Sequence, residues 1–261
     1  MYLIYFKDGG GFSIANMNSE ISPMQNRRFN DAVRHHLINI QAKEAMATKG
    51  SPNSHSNDAN IYQPDDVAAF VDLQNLHFFL KESCRVAATQ IHIPNLLRDF
   101  AAIHNMQLRD LVIVTGIHGY QQDAHRHEAM RSRVRWLEHC GAKVTTLPLT
   151  YRRNRETGET YAVEKGIDVR IGSEILRAVH GGLRRALVIT QDKDISQAIK
   201  VASEMAEDRG SSFHAYSMEL HGMDWENNGK CGTHGIAFTE KLPIDVAFVR
   251  RYERSLVSET A

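Results

Sequence analysis

Short apolar runs separated by segments of helical periodicity constrain the fold of this sequence more than any other feature. Residues 67–71 form the first run, and similar runs follow at 111–115, 144–149, 186–190 and 213–218. Runs of this length without polar alternation are typical of strands that are buried on both faces. The sequence therefore predicts a sheet that is covered on both sides.

Segments with helical periodicity lie between these runs, at 93–104, 124–139, 169–179 and 195–207. Gly141, Gly181 and Gly210 follow three of them, at the position where a left-handed residue commonly ends a helix. Strands and helices that alternate with short connections form parallel sheets with helices on both faces. We therefore predict an α/β fold with a central, mainly parallel sheet flanked by helices. Residues 151–164 are the exception and are predicted to form an exposed β-hairpin, called the flap below.

The composition divides the chain into four parts. Residues 1–50 are predicted to be a small N-terminal extension, with a hairpin over 1–17 and a helix over about 24–47. Residues 51–65 are polar and rich in turn-forming residues, which predicts a linker. The α/β domain is expected over 66–253, and residues 254–261 are expected to be a C-terminal tail.

Charge and cysteine content limit the classes of partner and compartment. Lys plus Arg equals Asp plus Glu at 31 each, so nucleic-acid binding would depend on local basic patches. The three Cys residues are widely spaced and form no CxxC motif, which favours a reducing, cytoplasmic compartment. No apolar run is long enough for a transmembrane helix, so no membrane partner is expected.

Acidic residues follow two of the predicted buried strands. Asp72 ends the first strand of the domain, and Asp192 follows the strand at 186–190. Asp194 opens the next helix, and Asp168 opens an earlier one with Glu174 about one and a half turns later. Ligand sites of open α/β sheets form beyond the carboxyl ends of the strands. We therefore expect these carboxylates to converge at one edge of the sheet.

Carboxylates brought together in this way suit a hard divalent cation. Mg²⁺ and Mn²⁺ prefer oxygen ligands, and such an ion supplies both activated water and counter-charge for phosphodiester hydrolysis. Asp168 and Asp194 are also good N-terminal residues of helices, so helix capping is the alternative at each of these positions. Asp72 and Asp192 fit that alternative less well, because a carboxylate directly after a buried strand is costly without a partner.

Three motifs resemble NYN (LabA-like) domains, a branch of the PIN-like nucleases. Phe70-Val-Asp-Leu-Gln-Asn75 is similar to the opening motif, an apolar strand followed by Asp-x-x-Asn. Lys165-Gly-Ile-Asp-Val resembles the start of a helix that reads Lys-Gly-Val-Asp-Val in the family. Ala186-Leu-Val-Ile-Thr-Gln-Asp-Lys-Asp-Ile resembles the strand followed by Ser-Gly-Asp-x-Asp-Phe. The motifs occur in family order, and the resemblance covers roughly residues 67–252.

The resemblance implies a PIN-like three-layer fold, an acidic pocket that binds Mg²⁺ or Mn²⁺, and ribonuclease activity. The catalytic residues that it implies are Asp72, Asn75, Asp168, Asp192 and Asp194. The same four aspartates would bind the metal, with Glu174 as a further ligand. The sequence departs from the family at three positions: Gln191 replaces a usual Gly, Ile195 a usual Phe, and Glu174 a common Asp.

Basic residues provide candidate contacts to the substrate. Arg152, Arg153 and Arg155 lie on the flap beside Tyr151 and Tyr161, and cations interleaved with aromatic residues suit single-stranded nucleic acid. We add Lys165 and Lys193, which flank the acidic motifs. A second cationic surface is expected from Arg126, Arg131, Arg133 and Arg135, with a solvated helix face as the alternative.

Histidines are a further feature, with 14 in the chain. His118, His125 and His127 cluster loosely in the sequence. The spacing of His221, Cys231 and His234 matches no closed tetrahedral zinc pattern, so we expect loop residues there.

These observations favour a metal-dependent ribonuclease that cleaves single-stranded RNA through an aspartate cluster. DNA stays an alternative substrate, because no residue identifies a contact to the 2′-hydroxyl. A non-catalytic NYN protein that binds RNA or a protein partner is the main alternative. A phosphatase of the haloacid-dehalogenase kind is a second one, with Asp192 and Asp194 as the nucleophile pair. A homodimer is compatible with this kind of fold.

Overall fold

A computed structural model describes residues 2–7, 11–16, 62–220 and 236–253. The first strands, β1 (Tyr2–Lys7) and β2 (Gly11–Asn16), pair antiparallel and confirm the predicted N-terminal hairpin. The predicted helix over 24–47, the linker up to residue 61 and the tail at 254–261 lie outside the described residues.

The described part of the α/β domain begins at residue 62 and confirms every predicted strand and helix of that domain. In chain order its elements are β3 (Asp66–Asp72), α1 (Leu73–Ser83), a 3-10 turn (Ala88–Gln90), α2 (Ile93–Ile103), β4 (Gln107–Ile117), α3 (Ala124–His139), β5 (Lys143–Pro148), β6 (Thr150–Arg153), β7 (Thr160–Val163), α4 (Ile167–His180), β8 (Arg185–Ile189), α5 (Ile195–Glu207), β9 (His214–Leu220), β10 (Thr239–Ile244) and α6 (Val246–Arg250). Among the described residues, no helix combines the length and apolar character that crossing a bilayer requires.

The central sheet has six strands in the order β10-β9-β8-β3-β4-β5, and every pairing is parallel. The chain runs outward from β3 through β4 to β5 and then returns to add β8 on the other side of β3. The strand order therefore reverses between β3 and β8, and open sheets form their ligand-binding crevices beyond the carboxyl ends of the strands at such a point. The structure confirms the predicted three-layer α/β architecture with a parallel sheet.

Helices cover both faces of β3, whose seven residues are all buried. Val67, Ala69 and Val71 share a hydrophobic core with the apolar residues of α1 and α2. Phe70 points to the opposite face and is 1% exposed. On that face α4 packs against β3 and β4, and α5 packs against α4. Double burial of the central strand explains its unbroken apolar sequence.

The glycine predicted to end α4 in a left-handed conformation is the wrong one. Gly181 has a φ of −78°, and its N–H still donates to Arg177 O. The next residue, Gly182, has the left-handed φ of 94°. The helix therefore extends one residue further than the sequence indicated. The prediction is correct at Gly141 and Gly210, whose φ values are 91° and 69°.

The flap is a hairpin, as predicted, because β6 and β7 form a two-stranded sheet. At its turn, Asn154 N donates to Glu159 O at 2.7 Å, and Arg153 Nε donates to Gly158 O at 3.0 Å. The tip, Arg153–Tyr161, falls in a different compact unit from Tyr62–Arg152, which belongs with the sheet.

Candidate functional site

Asp72 is the point where β3 ends and α1 begins. Its Oδ1 accepts hydrogen bonds from the backbone N–H groups of Gln74 and Asn75, at 3.0 Å each. The carboxylate thereby caps the helix and is favoured by the positive end of the helix dipole. The residue is 6% exposed, so these contacts hold a nearly buried carboxylate in one orientation.

A chain of hydrogen bonds connects Asp72 to the end of β8. Asn75 Nδ2 donates to Asp72 Oδ2 at 2.6 Å and to Thr190 Oγ1 at 3.0 Å. Thr190 Oγ1 also accepts from the backbone N–H of Asp192 at 3.1 Å, and Asp192 Oδ1 accepts from Asp194 N at 3.0 Å. These contacts join the carboxyl ends of the two strands between which the strand order reverses.

Two further aspartates lie at the starts of helices. Asp168 is in the first turn of α4, which begins after Gly166, whose φ is 77°. Asp194 precedes α5, but its side chain makes no capping hydrogen bond. Asp194 thus occupies the N-terminal position that the capping alternative predicts, but its side chain satisfies no free N–H group of α5. This side chain is left for other contacts.

The carboxylates of this group repel one another. Burial raises the pKa of Asp72 to about 6, and the negative charge of Asp192 adds to the rise. The hydrogen bonds that Asp72 accepts from Asn75 and Gln74 act in the opposite direction and lower the pKa. Burial also raises the pKa values of Asp168 and Asp194, and Asp192 raises both further. Across the part of the chain that the structure describes, no Lys, Arg or His forms an ion pair with any of these four aspartates. Among the described residues, the group is therefore a concentration of negative charge that no ion pair compensates.

Glu164 is a fifth carboxylate of the site, and the sequence reasoning missed it. It directly follows β7, and its Oε1 accepts from the backbone N–H of Gly116 at 2.7 Å. A Cβ at Gly116 would lie 2.5 Å from that oxygen, so only glycine allows this approach. Burial raises the pKa of Glu164 to about 7, and the charge of Asp72 contributes. Its place directly before the Lys165-Gly-Ile-Asp168 motif was the available signal.

Glu174 does not join this group. Its carboxylate pairs with Arg170 at 2.6 Å and with Arg177 at 2.9 Å, both on its own helix. It lies six residues beyond Asp168, which places it roughly 9 Å further along the helix axis. Arg170 and Arg177 thus account for this side chain without a metal.

The candidate substrate contacts are exposed. This holds for Arg152, Arg153, Arg155, Lys165 and Lys193. Gln191, which replaces a glycine of the resembled motif, has a buried Nε2 without a hydrogen-bond partner. A buried donor without a partner costs free energy, so an acceptor on a ligand beside Asp192 would be favoured at this amide.

The donor set determines which metal these residues fit. Among the described residues, no three His, Cys, Asp or Glu side chains stand as a preformed metal cage. Mg²⁺, however, keeps several waters and binds through one or two carboxylates. The uncompensated oxygen donors Asp72, Asp168, Asp192 and Asp194 therefore fit a hydrated Mg²⁺ or Mn²⁺ and do not fit a fully protein-ligated ion.

Neither protein-family models nor curated proteins match this sequence. The resemblance to NYN domains therefore rests on the three motifs, their order and their spacing.

Replacing Thr190 by Val tests the hydrogen-bond chain. Valine has nearly the same shape but removes the acceptor for Asn75 Nδ2 and Asp192 N. We expect the free energy of unfolding in urea to fall by about 1–3 kcal/mol, the cost of unsatisfied buried donors. Thr190→Ser keeps the hydroxyl and should lose less than half as much. An unchanged free energy of unfolding in Thr190→Val would show that the hydroxyl contributes nothing, and a loss in Thr190→Ser alone would assign the stability to the methyl group.

Replacing Glu164 by Gln tests the raised pKa of this carboxyl. A carboxyl whose pKa is higher in the folded protein stabilises it below the unfolded value of about 4.5 and loses this contribution as the pH rises through about 7. Glutamine keeps an acceptor for Gly116 N without a charge. Wild type and Glu164→Gln should therefore unfold with similar free energies at pH 4.

At pH 8 in EDTA, the variant should be the more stable by on the order of 2 kcal/mol. Each unit by which folding raises the pKa corresponds to about 1.4 kcal/mol of stability, and solvent screening reduces the total effect of the rise at Glu164. Urea unfolding at the two pH values measures the difference. If the difference in free energy of unfolding between wild type and Glu164→Gln is the same at both pH values, the pKa of Glu164 is not raised in the folded protein.

Proposed function

We propose that this protein is a metal-dependent ribonuclease whose active site is the group of carboxylates beyond β3 and β8. The observation that carries the proposal is the uncompensated charge of Asp72, Asp168, Asp192 and Asp194 in the crevice where the strand order reverses. Asp72 is buried, Asp168 and Asp194 are half-buried, and neighbouring carboxylates of this kind destabilise a fold unless a ligand balances their charge, which supports a cation-binding function.

The existing hydrogen bonds distinguish the roles of the aspartates. Asp72 already accepts three N–H groups, which leaves Oδ2 with limited capacity for a ligand. Asp194 makes no capping hydrogen bond, and Asp168 meets only backbone N–H groups at the start of its own helix, so these two would hold the ion directly or through water. When bound, Mg²⁺ or Mn²⁺ would neutralise charge and activate water for attack on a phosphodiester. Asn75 fixes Asp72 and, through Thr190, the turn that carries Asp192.

Glu164 supplies a group that can exchange protons. Its Oε1 is engaged with Gly116 N, so Oε2 is the atom left for a proton. A pKa of about 7 keeps both protonation states populated near neutral pH. A carboxyl of this kind suits general acid or base catalysis beside a phosphate group.

Single-stranded RNA is the proposed substrate, with DNA as the alternative that the substrate assay separates. Arg152, Arg153 and Arg155, with Lys165 and Lys193, would bind its phosphates through charge-assisted hydrogen bonds.

The two cysteines of the described residues, Cys84 and Cys140, form no disulfide, and we propose a reducing, cytoplasmic compartment.

A non-catalytic protein that binds RNA through the same crevice is the second candidate. The observation that favours it is Gln191, which places a bulky amide where the resembled nucleases have glycine. Cleavage separates the two candidates, because binding alone needs no ion at the carboxylates.

The double variant Asp168→Asn, Asp194→Asn tests the enzyme. We expect wild type to cleave end-labelled single-stranded RNA with Mn²⁺ or Mg²⁺ and to lose activity in EDTA. The double variant should be at least about a hundredfold slower, since metal-ion stabilisation contributes several kcal/mol to such reactions. Within the described part of the chain, neither carboxylate hydrogen-bonds or ion-pairs with another helix or strand, so the fold should be kept; circular dichroism checks this.

Two control variants sharpen the assay. Asp208→Asn makes the same chemical change at the C-terminal end of α5, and Glu174→Gln tests a carboxylate that pairs with arginines. Both should retain activity within about threefold, the scale of a surface substitution below 1 kcal/mol. Cleavage that survives EDTA would refute metal dependence. Binding of RNA without cleavage by wild type would favour the second candidate.

Replacing Arg152, Arg153 and Arg155 by Ala together tests the flap. Loss of three phosphate contacts should weaken RNA binding and reduce the slope of log affinity against log salt by about 2, at about 0.7 for each phosphate on single strands. Titration of labelled RNA over a series of salt concentrations gives the slope. Arg184→Ala, directly before β8 and hence at the opposite edge of the sheet, should leave it unchanged. An unaltered slope in the triple variant would rule out flap contacts.

A further inference from the structure

Tyr120 is an aromatic side chain that the carboxylate site does not use. It lies in the loop between β4 and α3 and is 62% exposed, although most large hydrophobic side chains of the described residues are buried. Exposure of an aromatic ring to water is unfavourable, so an ordered exposed ring is a candidate contact surface.

Neighbouring histidines fix the position of this ring. The His127 imidazole meets Tyr120 edge to face, with centroids 5.7 Å apart and planes at 87°. His127 Nδ1 lies 2.7 Å from the backbone oxygen of His118 and must carry the proton, because a carbonyl only accepts. His118 Nδ1 in turn hydrogen-bonds Tyr151 Oη at 2.9 Å. The ring is therefore held before any ligand arrives, which lowers the entropic cost of binding.

A groove opens beside the ring along α3. Its volume is about 490 Å³, and it is lined by Tyr120, Ala124, His125, Glu128, Ala129 and Ser132. The two alanines leave room that larger side chains would fill. The groove is shallow and open to solvent, which suits a flat heterocycle that lies against the ring on one face. Imidazole and hydroxyl groups on its walls can exchange hydrogen bonds with such a ring.

The groove lies at the edge of the sheet that carries the carboxylates. Val114 of β4 pairs with Asp72, and Gly116 binds Glu164. The chain leaves β4 at Ile117 and enters the loop that carries Tyr120. A strand of nucleic acid that lies along this edge can therefore contact the groove and the carboxylates in turn.

The charge of α3 matches a polyanion. The helix contains four Arg and two Glu, although the whole chain is neutral. Arg131 and Arg135 are exposed and follow His127 at intervals of four residues, so the three side chains share one stripe. A stacking ring with arginines beside it is the combination that binds unpaired nucleotides.

We propose that this groove is a nucleobase subsite, in which an unpaired base of single-stranded RNA stacks on Tyr120 and the adjoining phosphate contacts Arg131. The inference rests on the proposed function only for the identity of the ligand. A protein partner fits less well, because Tyr120, Ala124 and Ala129 are the whole apolar lining of the groove.

Binding of labelled oligoadenylate in EDTA tests the subsite apart from cleavage. Loss of one base stack is worth about 1–3 kcal/mol, so Tyr120→Ala should weaken binding roughly 5- to 150-fold. Tyr120→Phe keeps the ring and should bind within about twofold of wild type. An abasic strand with the same phosphates should bind wild type and Tyr120→Ala within about twofold of each other. This last comparison separates lost stacking from a general loss of the surface.

Phe238→Ala is the matched control. Phe238 is 59% exposed and precedes β10, which puts it at the opposite edge of the parallel sheet. Its removal should not change RNA affinity. Equal affinity of wild type and Tyr120→Ala for oligoadenylate would overturn the subsite, and so would equal losses on the normal and abasic strands. If the base-dependent loss is seen but no RNA is cleaved, the subsite stands and the nuclease proposal fails.

Discussion

The buried end of β3 is the constraint on which the rest of the site depends. The central strand has helices on both faces, so the residue after it cannot reach bulk water freely, and Asp72 is 6% exposed. A carboxylate in this position needs N–H donors, and the first turn of α1 provides two of them. The third comes from Asn75, whose other contact reaches β8. Satisfying one buried carboxylate thus also joins the two strands that border the crevice.

The same arrangement leaves a charge that the fold does not balance. Donors fix Asp72, but no ion pair within the described residues compensates Asp168, Asp192 or Asp194, and Glu164 approaches from the end of the flap. A structure optimised only for stability would replace several of these residues, because like charges near one another are unfavourable. The repulsion among these carboxylates is concentrated at the carboxyl ends of β3 and β8, where a positively charged ligand can offset it.

The sequence was sufficient for the sheet but only partly for the site. Apolar runs predicted the strands because burial on both faces leaves no polar alternation, and Asp72 and Asp192 followed from the ends of those runs. Glu164 was missed, because it follows an exposed flap strand and its contact with Gly116 joins residues 48 positions apart. Glu174 was included because it follows Asp168 on the same helix and occupies a place where the resembled family commonly has Asp, yet its carboxylate pairs with Arg170 and Arg177. The end of α4 was misplaced by one residue, because residue type does not specify that Gly181 N donates to Arg177 O and leaves the left-handed position to Gly182.

Protons and cations are two competing ways to reduce the charge of this edge. Burial raises the pKa of Glu164 to about 7 and that of Asp72 to about 6, so each carboxyl binds a proton more tightly in the folded protein than in the unfolded chain. A divalent cation near Asp72 lowers that proton affinity, and a proton on either carboxyl weakens the attraction for the cation. The two ligands are therefore linked through one electrostatic field. A cation bound at these carboxylates would therefore also shift the protonation of Glu164, the group that accepts a hydrogen bond from Gly116 N.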